Sequence, residues 1–404
     1  MSAAALRAAL QPLVDAQAVR VNAGVTLAFR NADVSIEIAS GHRSRASPAN
    51  ATPTDVLMWG SITKMYTASA VLKLAEQGAL DLDDPVRLHV DGILQQLNGT
   101  TLADLFGAES ASRVTVRHLL SMRSGLYDFD DDETRRFCNA HPNITVSPLD
   151  DLAFASTRGA RTPLYPAGTK QDYSSTNFEL LGLIVAAKAN ATRWDAPNLQ
   201  RDAVFGTAEL RRRFSRTAFA LHGPCSDYAQ VHGYEPDDAY GLDVDTAFMS
   251  CTNGWTCGNI AAPAAEVADF VWALYGTASI VSRASVDAMT KIWDGDGGWY
   301  GLGTMGLPGY VGGGGKRYCR VGHCGVTYGY TAVASYNRVL NYSLVWGMGQ
   351  EDPGQTRTHG AYYDYLLSFD CEVTAALLGV LEGAPKDVNC SAAHVNTESW
   401  ACSE

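Results

Sequence analysis

Residues that alternate between apolar and polar, as in β-strands, occur near both ends of this chain, while its middle carries the longer period of helices. The segment Asn22–Gly41 alternates on either side of a turn, which predicts two antiparallel strands. The same pattern returns in Tyr318–Val321 and Thr331–Val345, whereas helical patterns predominate over about Leu88–Met249. This order predicts one sheet built from both ends of the chain, with a helical lobe inserted and a cleft between the two.

The predicted fold class is therefore α/β (α+β), with an antiparallel sheet flanked by helices and an inserted, mostly helical lobe. We place the sheet lobe at about residues 1–60 and 255–370, the helical lobe at about 61–254, and a cysteine-bearing C-terminal tail at 371–404. A chain of 404 residues is long enough for two such lobes. The longest apolar run, Leu180–Ala187, is too short to span a membrane and predicts a buried helix.

Charge and motif spacing argue against several kinds of partner. The net charge of -12 disfavours nucleic acid, because the basic run Arg211–Arg213 stands alone. The acidic stretch Asp128–Glu133 lacks the turn glycine and distal glutamate of a calcium-binding loop and predicts a solvated loop. No two histidines have the H-x-H or H-E-x-x-H spacing of zinc ligands. We expect neither a metal ion nor a cofactor.

Ser61 and Lys64 are the first residues with a chemical pattern. Positions three apart share a helix face, so the hydroxyl and the amine are expected to meet. A lysine beside a serine can activate it as a nucleophile. Gly60 lets the backbone approach a ligand, and the amide of Ser61 in the first helical turn is free to bind an oxyanion. An N-terminal serine with an exposed lysine on an ordinary helix explains the same pair.

Two further segments contain candidate reactive side chains. Tyr173 lies in a turn before a helix predicted to begin near Phe178. His323 lies between glycines on a predicted edge strand, where a substrate backbone could pair alongside. Taken singly, Tyr173 is equally a packing aromatic and His323 a core histidine.

Taken together, these motifs resemble a known family. Ser61-x-x-Lys64, Tyr173-Ser174-x and His323-x-Gly325 occur in the order and spacing of the serine β-lactamase-related family, which includes class C β-lactamases, D-alanyl-D-alanine carboxypeptidases and esterase relatives. The segment Val114–Leu126 is also similar to a helix and "SGL" turn of that family. The resemblance covers about residues 10–350 and implies a β-lactamase/transpeptidase-like fold.

The resemblance also implies a role for each matching position. Ser61 would be the nucleophile acylated by substrate, and Lys64 would help to activate it. Tyr173 would act as a general base that later protonates the leaving group. His323 and Gly325 would lie on the opposite wall, and the amides of Ser61 and Val326 would form the oxyanion hole.

Two positions depart from the family pattern. Ser175 stands where the lactamases and peptidases have an asparagine, so we expect Ser175 to bind the substrate there. Its hydroxyl is shorter than the amide of asparagine, which weakens the case for amide or β-lactam substrates. Asn177 is too far along to replace that asparagine. Cys324 replaces a small residue and is either bonded to Cys319 or a free thiol beside the site.

Several features predict an extracellular protein. Asn-x-Ser/Thr acceptor sequences, which predict glycosylation, occur at Asn50, Asn98, Asn143, Asn190, Asn341 and Asn389. The chain has 9 cysteines without zinc-site spacing, an odd number that leaves at least one thiol unpaired or paired between chains. Cys251 and Cys257 could close a short loop, and Cys371, Cys390 and Cys402 could fasten the tail. Residues 1–16 predict an amphipathic helix rather than a signal peptide.

The sequence thus favours a secreted serine hydrolase that forms an acyl-enzyme at Ser61 and cleaves an ester or amide of a small molecule or short peptide. A D-Ala-D-Ala-type peptidase or β-lactamase is the first alternative. A non-catalytic binding or assembly protein on the same fold is the second. The expected partner is the substrate alone, with no nucleic acid and no membrane span, and the oligomeric state is not predicted.

Overall fold

The structure is a computed structural model of the chain. It describes residues 2–237, 242–252, 254–293, 298–311, 317–327, 329–351 and 362–382.

The strands within these ranges form a large sheet, a small sheet and a hairpin. The large sheet has 6 strands in the order β2-β1-β11-β10-β9-β8, the small one has the order β3-β7-β4, and β5 pairs with β6. In chain order the strands are β1 Val25–Arg30, β2 Ser35–Ser40, β3 Val56–Met58, β4 Ala218–Phe219, β5 Tyr234–Asp237, β6 Leu242–Asp245, β7 Ile260–Pro263, β8 Met305–Val311, β9 Arg317–Thr327, β10 Tyr330–Asn337 and β11 Tyr342–Met348.

Helices lie mainly between β3 and β8. In chain order they are α1 Ala3–Val21, α2 Thr63–Glu76, α3 Arg87–Asn98, α4 Leu102–Arg113, α5 Val116–Leu120, α6 Asp132–Ala140, α7 Pro148–Arg158, α8 Thr176–Lys188, α9 Leu199–Phe205, α10 Ala208–Arg213, α11 Trp255–Gly258, α12 Ala264–Val271, α13 Arg283–Thr290 and α14 Tyr362–Glu382. None of the described helices is both long enough and apolar enough to cross a membrane.

The sheet joins the two ends of the chain, as the alternating patterns predict. β1 pairs antiparallel with β2 and, on its other side, with β11, so that Val25 lies opposite Met348. β10 and β11 are buried along their whole length. They can be apolar on both faces because α1 and α14 contact one side of the sheet region and α12 packs against β1 and β11. The mixed helix and antiparallel-sheet fold is confirmed.

The position of β9 corrects one prediction. The strand that carries His323 is not at the edge of the sheet, because β8 forms the edge beyond it. β8 pairs with β9 only from Arg317 to Gly322. From His323 onward, β9 has no partner on this side among the described residues. The second half of β9 therefore keeps the open edge that was expected of the whole strand.

The disulfides also differ from the predicted pairs. Cys225 bonds to Cys251, so Cys251 does not close a loop with Cys257, whose thiol is free. Cys319 is disulfide-bonded and Cys324 is a free thiol, so these two are not bonded to each other. Sequence distance misled here, because pairing depends on Cα separation in the fold, which is 4.7 Å for Cys225 and Cys251.

The C-terminal helix crosses the boundary that we placed after residue 370. α14 continues to Glu382, and Phe369, Cys371, Val373 and Leu377 are buried. Cys371 is disulfide-bonded. Cys390 and Cys402 lie outside the described residues, as does the glycosylation acceptor Asn389.

Candidate active site

A tight turn places Ser61 at the start of α2. β3 ends at Met58, and a single 3-10 turn, Gly60–Ile62, leads into the helix. Gly60 has φ +51°, and a Cβ there would lie 2.6 Å from the carbonyl oxygen of Val326. Only glycine fits both the left-handed backbone and this close approach of β9. Ser61 itself is partly exposed.

Lys64 lies beneath Ser61 and is completely buried. Its Nζ donates hydrogen bonds to Ser61 Oγ at 3.0 Å, Ser175 Oγ at 3.3 Å and the carbonyl of Cys257 at 3.1 Å. Three oxygen acceptors from different segments therefore hold this nitrogen in place. The helical spacing therefore does bring Ser61 and Lys64 together.

Tyr173 closes the other side of Ser61. Its side chain interacts with Ser61, and Lys64 Nζ lies 4.9 Å from the centre of its ring. Burial raises the pKa of the Tyr173 hydroxyl well above its usual value of 10, although the contact with Ser61 opposes this shift. Tyr173 stacks with Trp299 at a centroid distance of 6.1 Å. The phenol is therefore held protonated beside the serine.

Ser175 lies where the family resemblance leads us to expect an asparagine. Its hydroxyl accepts from Lys64, and its backbone N–H donates to Asp128 Oδ1 at 2.9 Å. Asn177 does not replace the missing amide, because its side chain accepts from Ser124 Oγ at 2.5 Å, away from Lys64. Ser175 thus keeps a contact with the lysine through a shorter side chain.

The acidic stretch that we predict to be a solvated loop does expose Asp130, Asp132 and Glu133. The half-buried Asp128 is the exception, because its carboxylate accepts from the backbone N–H of Ser175, and desolvation together with the neighbouring Asp130 raises its pKa to about 8. Asp131 in the same stretch accepts hydrogen bonds from the first backbone N–H groups of α6 and pairs with Arg158. The clustered acids have structural partners that sequence alone does not reveal.

Glu179 is a buried acid that the sequence analysis missed. It follows Ser175 by one turn of α8 and is 0% exposed. Neither carboxyl oxygen has a hydrogen-bond partner among the described residues. Burial raises its pKa to about 8, while Cys257 and Lys64 act in the opposite direction. A lone glutamate in an apolar helical run is the signal that could have identified it.

His323 is buried rather than open to the cleft. Its Nε2 lies 2.9 Å from the Tyr300 hydroxyl, and its Nδ1 lies 2.5 Å from the carbonyl of Cys324. Burial lowers its pKa to about 3, and the nearby Lys64 adds to this effect. The imidazole is thus neutral and already has polar neighbours. A direct contact of His323 with substrate stays a prediction.

The backbone after His323 approaches the nucleophile. A Cβ at Gly325 would lie 2.0 Å from the carbonyl oxygen of Trp59, so β9 contacts the chain just before Ser61. The backbone of Val326 lies against Gly60. The amides of Ser61 and Val326 therefore come from adjacent segments, as an oxyanion hole requires.

The remaining predicted residues lie away from this cluster. The described acceptor asparagines, Asn50, Asn98, Asn143, Asn190 and Asn341, are all exposed. The Cys324 thiol is not poised as a nucleophile, because burial raises its pKa to about 12. Within the described ranges, no group of His, Cys, Asp and Glu side chains is arranged to hold a metal ion.

A family model described as Beta-lactamase matches residues 6–367. The chain belongs to the beta-lactamase family. This is the family that the motifs containing Ser61, Lys64 and Tyr173 resemble.

Curated relatives match parts of the family domain. Protein flp of Staphylococcus aureus (strain MW2) is 26% identical over 218 residues, which are 52% of this chain and 40% of that protein. Penicillin-binding protein 4 of Amycolatopsis lactamdurans is 30% identical over 192 residues, 46% of this chain and 42% of the relative. These alignments thus span about two fifths of the length of each relative.

Solved structures extend the similarity to nearly the whole fold. The D-amino acid amidase of Ochrobactrum anthropi SV3, solved with D-phenylalanine, has a TM-score of 0.71 and 20% identity, covering 94% of this chain and 99% of the amidase. At this identity the likeness shows the fold.

Proposed function

We propose that this protein is a secreted serine hydrolase that forms an acyl-enzyme at Ser61 and cleaves an ester or amide of a small molecule or short peptide. The observation that carries the proposal is the position of one partly exposed hydroxyl beside an amine and a phenol. Ser61 Oγ lies 3.0 Å from Lys64 Nζ and interacts with the Tyr173 side chain.

The proposed reaction begins with attack of Ser61 Oγ on the carbonyl carbon of the substrate. The hydroxyl proton passes to Lys64 Nζ, which lies 3.0 Å away and acts in this step as the neutral amine. The negative oxygen that develops is placed toward the amides of Ser61 and Val326. Tyr173, which burial favours as a phenol, then donates its proton to the leaving group, and the proton that Lys64 took up restores the phenol. Water hydrolyses the acyl-enzyme by the same proton path in reverse.

Ester substrates fit the site best. Lys64 contacts the short hydroxyl of Ser175 where the peptidases and lactamases have a longer amide, so one donor and acceptor for a substrate amide is absent. The Trp299 ring stacked on Tyr173 offers an apolar surface beside the nucleophile. These features favour an apolar acyl or leaving group over a peptide backbone.

A peptidase or amidase activity is the second candidate, and the comparisons favour it. The similar solved structure is a D-amino acid amidase, and one relative is a penicillin-binding protein. Under this alternative, the open edge of β9 after His323 would pair with a substrate backbone.

Secretion rests on different observations. The Cys225–Cys251 disulfide and the exposed position of the described acceptor asparagines support the proposal of an extracellular glycoprotein. Treatment with a glycosidase after expression in eukaryotic cells tests this part. Loss of mass from the secreted parent, and no loss when the acceptor asparagines are replaced by glutamine, is the expected result.

A fluorophosphonate serine probe tests the nucleophile. The parent should gain one adduct in intact mass, and Ser61→Ala should gain none while keeping its fold by circular dichroism. Turnover of short-chain aryl esters should vanish in the same variant. Equal labelling of both proteins would contradict the proposal. Activity of the parent on D-Ala-D-Ala peptides without activity on esters would favour the peptidase alternative.

A further inference from the structure

A cavity of about 340 Å³ lies in the helical part of the molecule, apart from Ser61. This volume falls in the range of about 300 to 1,000 Å³ that is usual for small-ligand sites. One wall is the segment 194–201 at the start of α9, and another is the segment 215–221, which contains β4. None of the residues proposed for catalysis lines it.

One half of the cavity is aromatic. Trp194 and Trp255 meet edge to face with ring centroids 6.0 Å apart, and Phe219 lies nearby in the lining. Trp255 is 1% exposed, and its indole N–H has no acceptor among the described residues. Buried indole N–H groups normally have a partner, so a ligand atom that accepts this hydrogen bond would satisfy an otherwise unpaired donor.

The other half of the cavity is cationic. Arg201 and Arg216 line it, and the lining contains no aspartate or glutamate. The guanidinium of Arg201 is held in place by the carbonyls of Thr217 and Arg211, both at 2.8 Å. The carboxylate of Glu266, which is not part of the lining, accepts hydrogen bonds from the backbone N–H of Arg216 and the hydroxyl of Thr217 rather than from either guanidinium. The Arg201 guanidinium is therefore fixed at the cavity by backbone carbonyls, and the exposed Arg216 side chain can turn toward an anion there.

We propose that this cavity binds a small aromatic carboxylate. The ring would lie against Trp194 and Trp255, and the carboxylate would face Arg216 and Arg201. The cavity shares α11 with the reactive cluster, because Trp255 lines the cavity while the carbonyl of Cys257 accepts from Lys64 at 3.1 Å. Binding at this site does not depend on the function proposed for Ser61.

Isothermal titration calorimetry with 2-naphthoate tests the proposal. Arg216→Glu reverses one charge at the cavity, and Arg216 is exposed with its side chain outside the core, so the variant should fold. Arg212→Glu makes the same change on exposed Arg212 of α10, outside the cavity, and is the matched control. Arg216→Glu should weaken binding by about tenfold or more, while Arg212→Glu leaves it within about twofold.

The neutral analogue 2-naphthylmethanol tests the role of the carboxylate. It should bind the parent about tenfold more weakly than 2-naphthoate, and Arg216→Glu should leave that weaker affinity unchanged. The proposal is overturned if the parent binds no 2-naphthoate at millimolar concentration, or if both charge reversals weaken binding equally. Binding that is insensitive to Arg216→Glu would place the ligand elsewhere, including the cleft at Ser61, and would also overturn it.

Discussion

The two walls that meet at Ser61 are built in opposite ways. The helical wall, formed by α2, α8 and the turn before α8, holds Lys64, Tyr173 and Ser175, with the half-buried Asp128 and the buried Glu179 behind them. The strand wall, formed by the second half of β9, offers glycine and backbone, and its His323 is turned toward Tyr300.

This difference separates two tasks. Proton movement requires side chains whose charge depends on their surroundings, and all of these lie on the helical wall except the neutral His323. Stabilising a developing oxyanion requires backbone N–H groups at a fixed place, which the strand wall supplies through its close fit against Gly60. Substitutions on the helical wall should therefore alter chemistry, and those on the strand wall should alter geometry.

The largest effect is expected for Lys64→Met, which removes the amine from the helical wall. Turnover of an aryl ester should fall by about a thousandfold or more, because Ser61 loses its hydrogen-bonded partner. Lys73→Met on the same helix is the matched control, since Lys73 contacts the carbonyl of Val204 instead. The measurement is steady-state kcat for both variants. A similar fall in kcat in both would contradict the division of tasks between the two walls.

Gly325→Ala should disturb the strand wall. The new Cβ would lie 2.0 Å from the Trp59 carbonyl oxygen, so β9 must move away from Ser61. We expect kcat/KM to fall about 10- to 100-fold, with about 1 to 3 kcal/mol lost in the free energy of unfolding. Gly92→Ala is the control, because a Cβ there meets nothing within 4 Å. Undiminished kcat/KM in Gly325→Ala would show that β9 does not set the geometry.

Glu179→Gln should change how stability depends on pH. The pKa of Glu179 is about 8 in the folded state against 4.5 for a free side chain, so the folded state binds more protons between these values. Stability of the parent therefore falls as pH rises from about 4.5 through about 8. Glu179→Gln removes this contribution. The free energy of unfolding of the variant minus that of the parent should therefore be on the order of 1 to 3 kcal/mol larger at pH 8 than at pH 5.

Urea unfolding at the two pH values measures this difference. Glu109→Gln on exposed Glu109 of α4 is the matched control and should show the pH dependence of the parent. If the free energy of unfolding changed by the same amount between the two pH values in all three proteins, Glu179 would be ionised in the folded state.

The smallest effect is expected for His323→Gln. Because the pKa of His323 is about 3, the imidazole stays neutral from pH 5 to 8 and adds no step to the activity profile there. The variant should keep the shape of the parent profile, with kcat within about threefold. A step near pH 6 that disappears in the variant would show that His323 titrates and takes part in the chemistry.

The sequence motifs predict most of the cluster because they encode local geometry. Helical spacing alone places Ser61 and Lys64 on one face, and their Oγ and Nζ atoms do lie 3.0 Å apart. The hairpin β1–β2 and the helix α8 after Tyr173 follow equally from local patterns. The proposed roles of these residues stay predictions.

The errors concern contacts between distant parts of the chain. The prediction of a Cys251–Cys257 loop failed because the nearest thiol in space, Cys225, is separated by 26 residues in sequence. The predicted edge position of β9 was wrong because β8 lies beyond it in the sheet. The sequence of β8 does not clearly alternate between apolar and polar residues, so the pattern did not predict this strand. The contact of Asp128 with the backbone of Ser175 likewise joins residues that are 47 positions apart.

The sequence by itself determined the family, the sheet built from both chain ends and the pairing of a serine with a lysine. Those features depend on the period of apolar residues and on neighbours within one helical turn. Only the tertiary structure decided that His323 is neutral and faces Tyr300, that the buried Glu179 has no hydrogen-bond partner among the described residues, and that two arginines face a cavity beside Trp255. Burial and charge pairing arise from segments far apart in sequence, which no local pattern records.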